Sequence, residues 1–296
     1  MIGIVILNYQ NYQVTERCVQ SILKNRPSED FKIYIIDNGS NNESFNVLSE
    51  KYNIKSIVIH RIEKNIGFAA GNDVGISLCE KDNIKECVLS NSDIQFNRGS
   101  IDGIIDSLRN MDKAVIVGPK IINGGTEQRL MHSSRLRKGR LIDPLELGRF
   151  FPVKKLDEEN EIGVHKVWAV SGCCFGINIE MFRKMGGFDK NTFLYNEENI
   201  MGMQAENAKL FTYINLDISV VHEHGASSGK DNDFVRTEYI KSTLYYWKQY
   251  RGASRLILFA ILRTYTTKLR LQRNADIHPA LVYKKGRDYL KQLNER

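Results

Sequence analysis

The chain has 296 residues, of which 42% are hydrophobic and 26% charged, so its composition is that of a globular protein and excludes disordered and collagen-like classes. The apolar stretch at residues 2–7 is too short for a signal peptide or a membrane span, and it predicts a buried strand. The five cysteines form no CxxC pair, so we expect reduced thiols in a cytoplasmic protein rather than disulfides or a zinc site.

Short runs of β-branched and apolar residues alternate with stretches of helical periodicity in the first part of the chain. Strands are predicted at residues 2–7, 33–36, 57–59, 87–89 and 114–117. Further strands are predicted at 167–176 and 211–221, with a helix at 179–184 between them and helices beyond Phe234. This order predicts an α/β fold whose largely parallel sheet has helices on both faces. The stretch 118–165 is less regular and is either a long loop over the site or a connector.

The positive charge lies mainly at the end of the chain. The net charge is +7, and residues 234–296 carry fourteen Lys or Arg and four Asp or Glu, a local balance of +10. Within them an apolar run lies between Arg255 and Arg263. This run either lies in the interface of an anionic membrane or packs against the rest of the protein.

Ligands of parallel sheets bind beyond the carboxyl ends of the strands, and several polar motifs lie there. Asn8 and Tyr9 follow the first predicted strand, and Asp37 follows the second. A carboxylate at this position can accept hydrogen bonds from a nucleobase or a ribose, although Asp-Asn-Gly-Ser is also an ordinary turn. Asn65 and Gly67 precede a predicted helix whose free N–H groups suit a diphosphate, or which is simply a capped helix start.

Two further clusters carry ionisable groups. Asn91 and Asp93 follow the fourth predicted strand, and Asp93 can hold a Mg²⁺ or Mn²⁺ ion that contacts the phosphates of a bound nucleotide. His222 closes the last strand as a candidate ligand or as a structural histidine. Glu197 and Glu198 are adjacent carboxylates after an aromatic run, and they either include a general base or form the solvated start of a helix.

The order of these motifs resembles the inverting glycosyltransferases of family 2, especially the bacterial rhamnosyltransferase-like branch. The match covers residues 1–228 and includes Asp-Asn-Gly-Ser (37–40), Asn-x-Gly-Phe-Ala (65–69), Asn-x-Asp (91–93), Gly-Gly-Phe-Asp (186–189) and Phe-Leu-Tyr-x-Glu-Glu (193–198). The resemblance implies a GT-A-type catalytic domain at 1–233, with a nucleotide-sugar half (1–118) and an acceptor half (119–233). A basic helical segment would follow at 234–296.

The resemblance also implies roles for individual residues. Asn8, Tyr9 and Asp37 would lie around the base and ribose, with Asn65 and Gly67 near the ribose-phosphate side. In the remaining positions, Asn91 would be donor-binding, Asp93 and His222 would hold the metal, and Glu198 would be the base, preceded by Glu197.

Three positions depart from the family pattern. Asn91 is neutral where many relatives carry Asp, and Asp73 stands where relatives commonly carry Asn. Glu198 is one methylene longer than the usual Asp, so the choice between Glu197 and Glu198 as base stays open.

The implied reaction transfers a sugar from a UDP- or dTDP-sugar to a saccharide acceptor, expected to be lipid-linked, with inversion and with Mn²⁺ or Mg²⁺. It implies a role in bacterial surface polysaccharide synthesis, in the cytoplasm and at the inner membrane face, with an anionic membrane surface as a further partner. A sugar-phosphate nucleotidyltransferase would need a glycine-rich basic loop after the first strand, where this chain has Asn8-Tyr9-Gln10-Asn11. No nucleic-acid partner is expected, because no reader motif accompanies the basic segment. A non-catalytic sugar-binding relative stays an alternative.

Overall fold

The computed structural model of the protein describes residues 1–123, 126–127, 161–223, 231–272 and 274–295. Its strands are β1 (Ile2–Asn8), β2 (Phe31–Asn38), β3 (Ile57–Ile62), β4 (Glu86–Asn91), β5 (Ile94–Phe96), β6 (Ala114–Asn123), β7 (Thr126–Glu127), β8 (Val164–Val167), β9 (Cys174–Asn178) and β10 (Phe211–His222). Its helices are α1 (Tyr12–Lys24), α2 (Ser44–Lys51), α3 (Phe68–Lys81), α4 (Ser100–Asn110), α5 (Ile179–Lys184), α6 (Glu197–Asn207), α7 (Asp233–Gln249), α8 (Arg255–Gln272) and α9 (Pro279–Glu295).

One sheet joins these strands in the order β3-β2-β1-β4-β9-β6-β10-β5, with β7 paired to β6 and β8 paired to β10. β1 to β4 are parallel, and the antiparallel pairs involve β5, β7, β8 and β9. Asn8 is the register partner of Asp37, and Leu7 is that of Asn91. The carboxyl ends of β1, β2 and β4 therefore meet at one edge. The predicted α/β class is confirmed, and β6 and β10 form a further parallel pair.

Both faces of the sheet are buried, which explains why its strands are apolar at consecutive positions. In β1, Ile4 and Ile6 lie in a core layer with Cys18 and Val19 of α1. Val5 points to the opposite layer, where α3, α5 and α6 pack. The period of two in a strand thus distributes one apolar run between two cores. All five cysteines are free and buried, as the sequence predicts.

Helices α7, α8 and α9 form a third apolar cluster, which also includes Ile200 of α6. Leu258, Ile261 and Leu262 of α8 are buried in it, so three of the seven residues between Arg255 and Arg263 pack against protein, the second of the two predicted alternatives. In the part of the chain that the structure describes, no helix is both long and apolar enough to cross a membrane. The division at residues 233 and 234 stays a prediction.

The prediction of one strand over residues 167–176 was wrong. β8 ends at Val167 and β9 begins at Cys174, and the residues between them leave the sheet. Their apolar composition is that of a strand, but the backbone N–H of Gly172 bonds to the Glu198 side chain instead of to a neighbouring strand. The predicted loop over 118–165 lies largely outside the described residues, and its first residues extend β6 to Asn123.

Candidate active site

Polar side chains gather where β1 and β2 end. The Asn8 amide donates to Asp37 Oδ2 at 2.8 Å, and its carbonyl accepts from the Thr15 hydroxyl at 2.7 Å. Asp37 Oδ1 accepts the backbone N–H of Ser40 at 3.1 Å. Asn8 and Asp37 are fully buried, whereas Tyr9 is 42% exposed. Asn8 therefore orients Asp37, and Tyr9 is the side chain that this turn presents to solvent.

The loop before α3 is tied to the end of β2 by Asn38. The Asn38 amide donates to Asn65 Oδ1 and to the Gly67 carbonyl, both at 3.1 Å, and Asn38 Oδ1 accepts the N–H of Ile66. Asn65 Oδ1 also accepts the N–H of Gly67 at 2.9 Å. Gly67 has φ +89°, where a side chain is strained. We call the group formed by Asn8, Asp37, Asn38, Asn65 and Gly67 the polar edge.

Asp93 and His222 lie side by side, as the sequence predicts for a pair of metal ligands. Two backbone contacts hold these segments together. His222 pairs with Ile94 in the antiparallel ladder, and the Glu223 N–H donates to the Asp93 carbonyl at 2.9 Å. His222 Nε2 is 3.2 Å from Asp93 Oδ1, and both side chains are buried. A carboxylate oxygen suits Mn²⁺ or Mg²⁺, and an imidazole nitrogen is a ligand of transition-metal ions. Within the described ranges no group of three His, Cys, Asp or Glu side chains could hold a metal, so other ligands would have to complete this site.

Glu197 and Glu198 open α6 and differ in their surroundings. Glu198 is partly exposed and its Oε1 accepts the Gly172 N–H at 3.1 Å. Burial raises the pKa of Glu198, while hydrogen bonds from backbone N–H groups oppose that rise. Glu197 is buried, and its Oε1 accepts no hydrogen bond from the residues that the structure describes. Burial and the neighbouring Glu198 charge raise the pKa of Glu197 to about 8. A carboxyl group with a pKa of about 8 keeps its proton at neutral pH, and Glu198 is the member of the pair that accepts the Gly172 N–H.

The loop of residues 193–196, immediately before α6, is held from two sides. Its Phe193 carbonyl accepts the N–H of Phe68 at 2.9 Å, which joins it to the polar edge. From α7, the Ser242 hydroxyl donates to the Leu194 carbonyl at 2.8 Å, and the Asn196 amide donates to the Thr243 hydroxyl at 3.1 Å. Ring contacts pair Phe193 with Phe234 and Tyr195 with Tyr239.

Two consecutive left-handed residues end this loop. Tyr195 has φ +75° and Asn196 has φ +70°, a region that costs about 1 kcal/mol or more for a residue with a side chain. Such a backbone persists where its surroundings fix it, and α7 supplies those contacts. We call residues 193–196 the 193–196 loop.

Some predicted residues are joined only indirectly. The Asn91 N–H donates to the Cys173 carbonyl at 2.8 Å and so holds the loop before β9 in place. Gly172, the residue before Cys173, donates its N–H to Glu198. A Cβ added at Gly172 would lie 2.7 Å from Glu198 Oε1, so the glycine permits this approach. Asp73, the departure noted in the sequence, is buried and forms ion pairs with Arg183 and Lys190.

Three supporting residues were not predicted from the sequence. Thr15 donates a hydrogen bond to Asn8 of the polar edge, and Asn38 belongs to the polar edge although the Asp-Asn-Gly-Ser motif predicted no role for it. Asp189, the acid of Gly-Gly-Phe-Asp, accepts the hydroxyls of Tyr245 at 2.8 Å and Tyr250 at 2.6 Å. That motif therefore anchors the C-terminal part of α7 to the residues that follow α5. No local sequence pattern indicates this contact.

Comparison with known families agrees with this geometry. The family model Glycosyl transferase family 2 matches residues 3–186, which is more than half of the chain, and the chain belongs to this family. It is a glycosyltransferase with a GT-A-like fold, so the family shown here does not support the nucleotidyltransferase alternative. The predicted family is confirmed.

Curated relatives of known activity are also similar to the chain. The chain is similar, at 26% identity over 163 residues, to N-acetylglucosaminyl-diphospho-decaprenol L-rhamnosyltransferase from two strains of Mycobacterium tuberculosis. That match covers 53% of this chain and 52% of the relative, so the chain spans about half the length of the curated relatives it matches.

Two solved structures share the fold. The structure of GalNAc-T7 with UDP, GalNAc and Mn²⁺ superposes with a TM-score of 0.63 at 15% identity, covering 100% of this chain and 56% of the other. Residues 1–349 of S. aureus TarS superpose with a TM-score of 0.54 at 10% identity, covering 99% and 90%. At these identities the likeness shows the fold.

Proposed function

We propose that this glycosyltransferase moves a sugar from a UDP- or dTDP-sugar to a saccharide hydroxyl in one displacement that inverts the anomeric carbon. The observation that carries the proposal is the asymmetric glutamate pair at the start of α6. The 193–196 loop joins this pair to the polar edge, and Gly172 places a donor N–H on Glu198. In this proposal the polar edge and Tyr9 hold the nucleoside, and Asn91 lies on the donor side.

Glu198 would accept the proton of the acceptor hydroxyl as that oxygen attacks the sugar. Its carboxylate is partly exposed, and it lies at a helix N-terminus, which stabilises negative charge. Glu197 would stay protonated at neutral pH, because burial and Glu198 raise its pKa to about 8. A neutral neighbour lowers the electrostatic cost of keeping Glu198 ionised.

Asp93 and His222 fit a divalent cation, and the phosphates of the donor would complete its coordination. When bound, Mn²⁺ or Mg²⁺ neutralises charge that develops on a departing nucleoside diphosphate. The pairing of β5 with β10 holds the Asp93 carboxylate and the His222 imidazole 3.2 Å apart, which fixes two ligands of different chemistry at one point.

We extend the acceptor class to lipid-linked saccharides, which places the enzyme in bacterial surface polysaccharide synthesis at the cytoplasmic face of a membrane. The support is the similarity to the mycobacterial relative, an N-acetylglucosaminyl-diphospho-decaprenol L-rhamnosyltransferase. An anionic membrane surface is then the expected further partner.

The test is a screen of UDP- and dTDP-sugars by thermal stabilisation, with and without Mn²⁺. A bound donor stabilises by mass action, about 2.7 kcal/mol at 100 times Kd. The expected result is stabilisation by one nucleotide class, stronger with Mn²⁺, and release of nucleoside diphosphate when saccharide acceptors are added.

The products distinguish the alternatives. NMR of the new glycosidic bond is expected to show inverted anomeric configuration. Retained configuration contradicts the single displacement, pyrophosphate release contradicts glycosyl transfer, and donor binding without turnover on any lipid-linked or free saccharide indicates a non-catalytic relative.

A further inference from the structure

Helix α8 buries one face and exposes apolar side chains on the other. Leu258, Ile261, Leu262 and Leu269 are buried against α7 and α9. Leu256 is 83% exposed, Leu271 77% and Phe259 39%. Exposed side chains at this helical spacing form a stripe along the outer face of the helix.

The same outer face is positively charged. The sequence of α8 contains four Arg or Lys and no Asp or Glu, and Arg255, Arg263 and Arg270 are exposed. The Arg263 guanidinium lies 5.3 Å from the Phe259 ring and 5.1 Å from the Tyr283 ring of α9. We call this outer face the α8 surface; its members are Arg255, Leu256, Phe259, Arg263, Arg270 and Leu271.

We propose that the α8 surface binds an anionic lipid bilayer, with its leucines and Phe259 among the acyl chains and its arginines at the headgroups. An 18-residue helix with cationic and apolar side chains on one face and no acid is suited to lie in a membrane interface. A second copy of the chain docking face to face on this surface would bring arginines against arginines. A nucleic acid would leave the leucines exposed to water.

Aromatic contacts connect α8 to the 193–196 loop of the candidate active site. Tyr265 of α8 stacks on Tyr239 of α7 at 5.2 Å, and Tyr239 contacts Tyr195 at 5.6 Å, two residues before Glu197. Docking through α8 would therefore hold the glutamate pair near the membrane, where a lipid-linked acceptor lies. That consequence rests on the proposed function, whereas lipid binding itself does not.

The experiment is sedimentation of the full chain with vesicles of phosphatidylglycerol and phosphatidylcholine in equal parts, and with pure phosphatidylcholine. The wild-type protein is expected to bind the anionic vesicles and to be released by salt. Arg255→Gln with Arg270→Gln is expected to weaken that binding about fivefold for each cation. Leu256→Ser with Phe259→Ser is expected to weaken it by about tenfold or more, because the apolar contacts are lost.

Matched controls carry the same chemical changes elsewhere. Lys24→Gln with Arg26→Gln removes two exposed cations near the end of α1, and Ile54→Ser with Ile162→Ser removes two exposed isoleucines; both are expected to bind as wild type. Circular dichroism checks that each variant is folded.

Three results overturn the proposal: binding to neither vesicle, equal binding to both, or α8 variants that bind like the controls. Thermal stabilisation by UDP or dTDP, measured on the same samples, tests the proposed function separately. Loss of vesicle binding with retained nucleotide stabilisation is the result expected for the α8 variants, and absent nucleotide stabilisation in wild type contradicts the proposed function alone.

Discussion

The polar edge and the 193–196 loop differ in how their backbones are held. At the polar edge, Asn8 and Asp37 end regular parallel strands and bond to each other at 2.8 Å. The 193–196 loop ends in two left-handed residues and is held by side chains of α7. The sheet itself builds the first region, whereas the second depends on a helix that begins about forty residues later in the chain.

This difference separates binding from chemistry. In the proposed function, the buried bonds of the polar edge would preorganise a rigid surface for a nucleoside. The 193–196 loop would instead position a carboxylate whose acceptor must enter and leave. Changes at the two regions are therefore expected to have different kinetic signatures, and the predictions below test that separation.

The largest effect is expected from Glu198→Gln, which preserves size but cannot accept a proton. Loss of a general base lowers kcat by about 10²–10⁴-fold, while donor affinity should stay nearly unchanged. Steady-state kinetics with a thermal-shift Kd for the donor measure both. If Glu197→Gln is the severe change and Glu198→Gln the mild one, the two roles are exchanged.

A somewhat smaller loss is expected from Asp93→Ala. It removes one of the two proposed protein ligands, and a catalytic cation contributes several kcal/mol, so turnover with Mn²⁺ should fall about 10²-fold or more. The variant should stay folded, because Asp93 lies in the turn between β4 and β5 and its backbone carbonyl still accepts the Glu223 N–H. Titration with Mn²⁺ is the measurement. Wild-type activity of this variant in the presence of a chelator would show that turnover needs no metal.

Contacts between α7 and the 193–196 loop should matter about tenfold. Ser242→Ala with Thr243→Val removes both hydrogen bonds, each worth about 1 kcal/mol, and frees the strained backbone to relax. We expect lower kcat with unchanged donor Kd and an unchanged pH profile. Thr243→Ser restores one hydroxyl and should recover part of the rate.

The matched control is Thr237→Val, since Thr237 is buried on the same helix and its hydroxyl bonds to none of the described residues. This variant should keep wild-type kcat. A parallel loss of donor affinity in the Ser242 and Thr243 variant would mean that α7 supports both regions equally.

The two regions also differ in how far the sequence predicts them. Asn8 and Asp37 could be predicted because each follows an apolar run, and parallel strands bring such positions to one edge. Asn65 could be predicted because it precedes a helix. The pairing of Asp93 with His222 was implied by the family resemblance, since the antiparallel contact of β5 with β10 that joins them was not predicted. The role of Asp189 could not be predicted, because its partners Tyr245 and Tyr250 lie more than fifty residues away.

The division between Glu197 and Glu198 was also beyond the sequence. Both are glutamates in the first turn of α6, and only tertiary packing buries one and places the Gly172 N–H on the other. The split at residues 168–173 escaped prediction for the same reason, since its apolar composition is that of a strand.

The last expected effect concerns the pH dependence of stability instead of turnover. Burial and Glu198 raise the pKa of Glu197 from 4.5 to about 8 in the folded protein. Between these values the folded state keeps a proton that the unfolded state has lost. The contribution of this proton to stability is therefore fully present below pH 4.5 and disappears as the pH rises toward 8.

Glu197→Gln keeps the size of the side chain and removes its titration. Relative to wild type, we expect the variant to gain on the order of 5 kcal/mol in the free energy of unfolding between acid and alkaline pH, because each unit of pKa shift corresponds to about 1.4 kcal/mol. Urea unfolding at both ends of that range measures the difference. Glu50→Gln, an exposed control on α2, should show no such gain. An equal stability difference at both pH values would mean that the Glu197 carboxyl is already ionised in the folded protein at neutral pH. The glutamate pair would then carry two charges, and the lower electrostatic cost that a neutral Glu197 gives Glu198 would be absent.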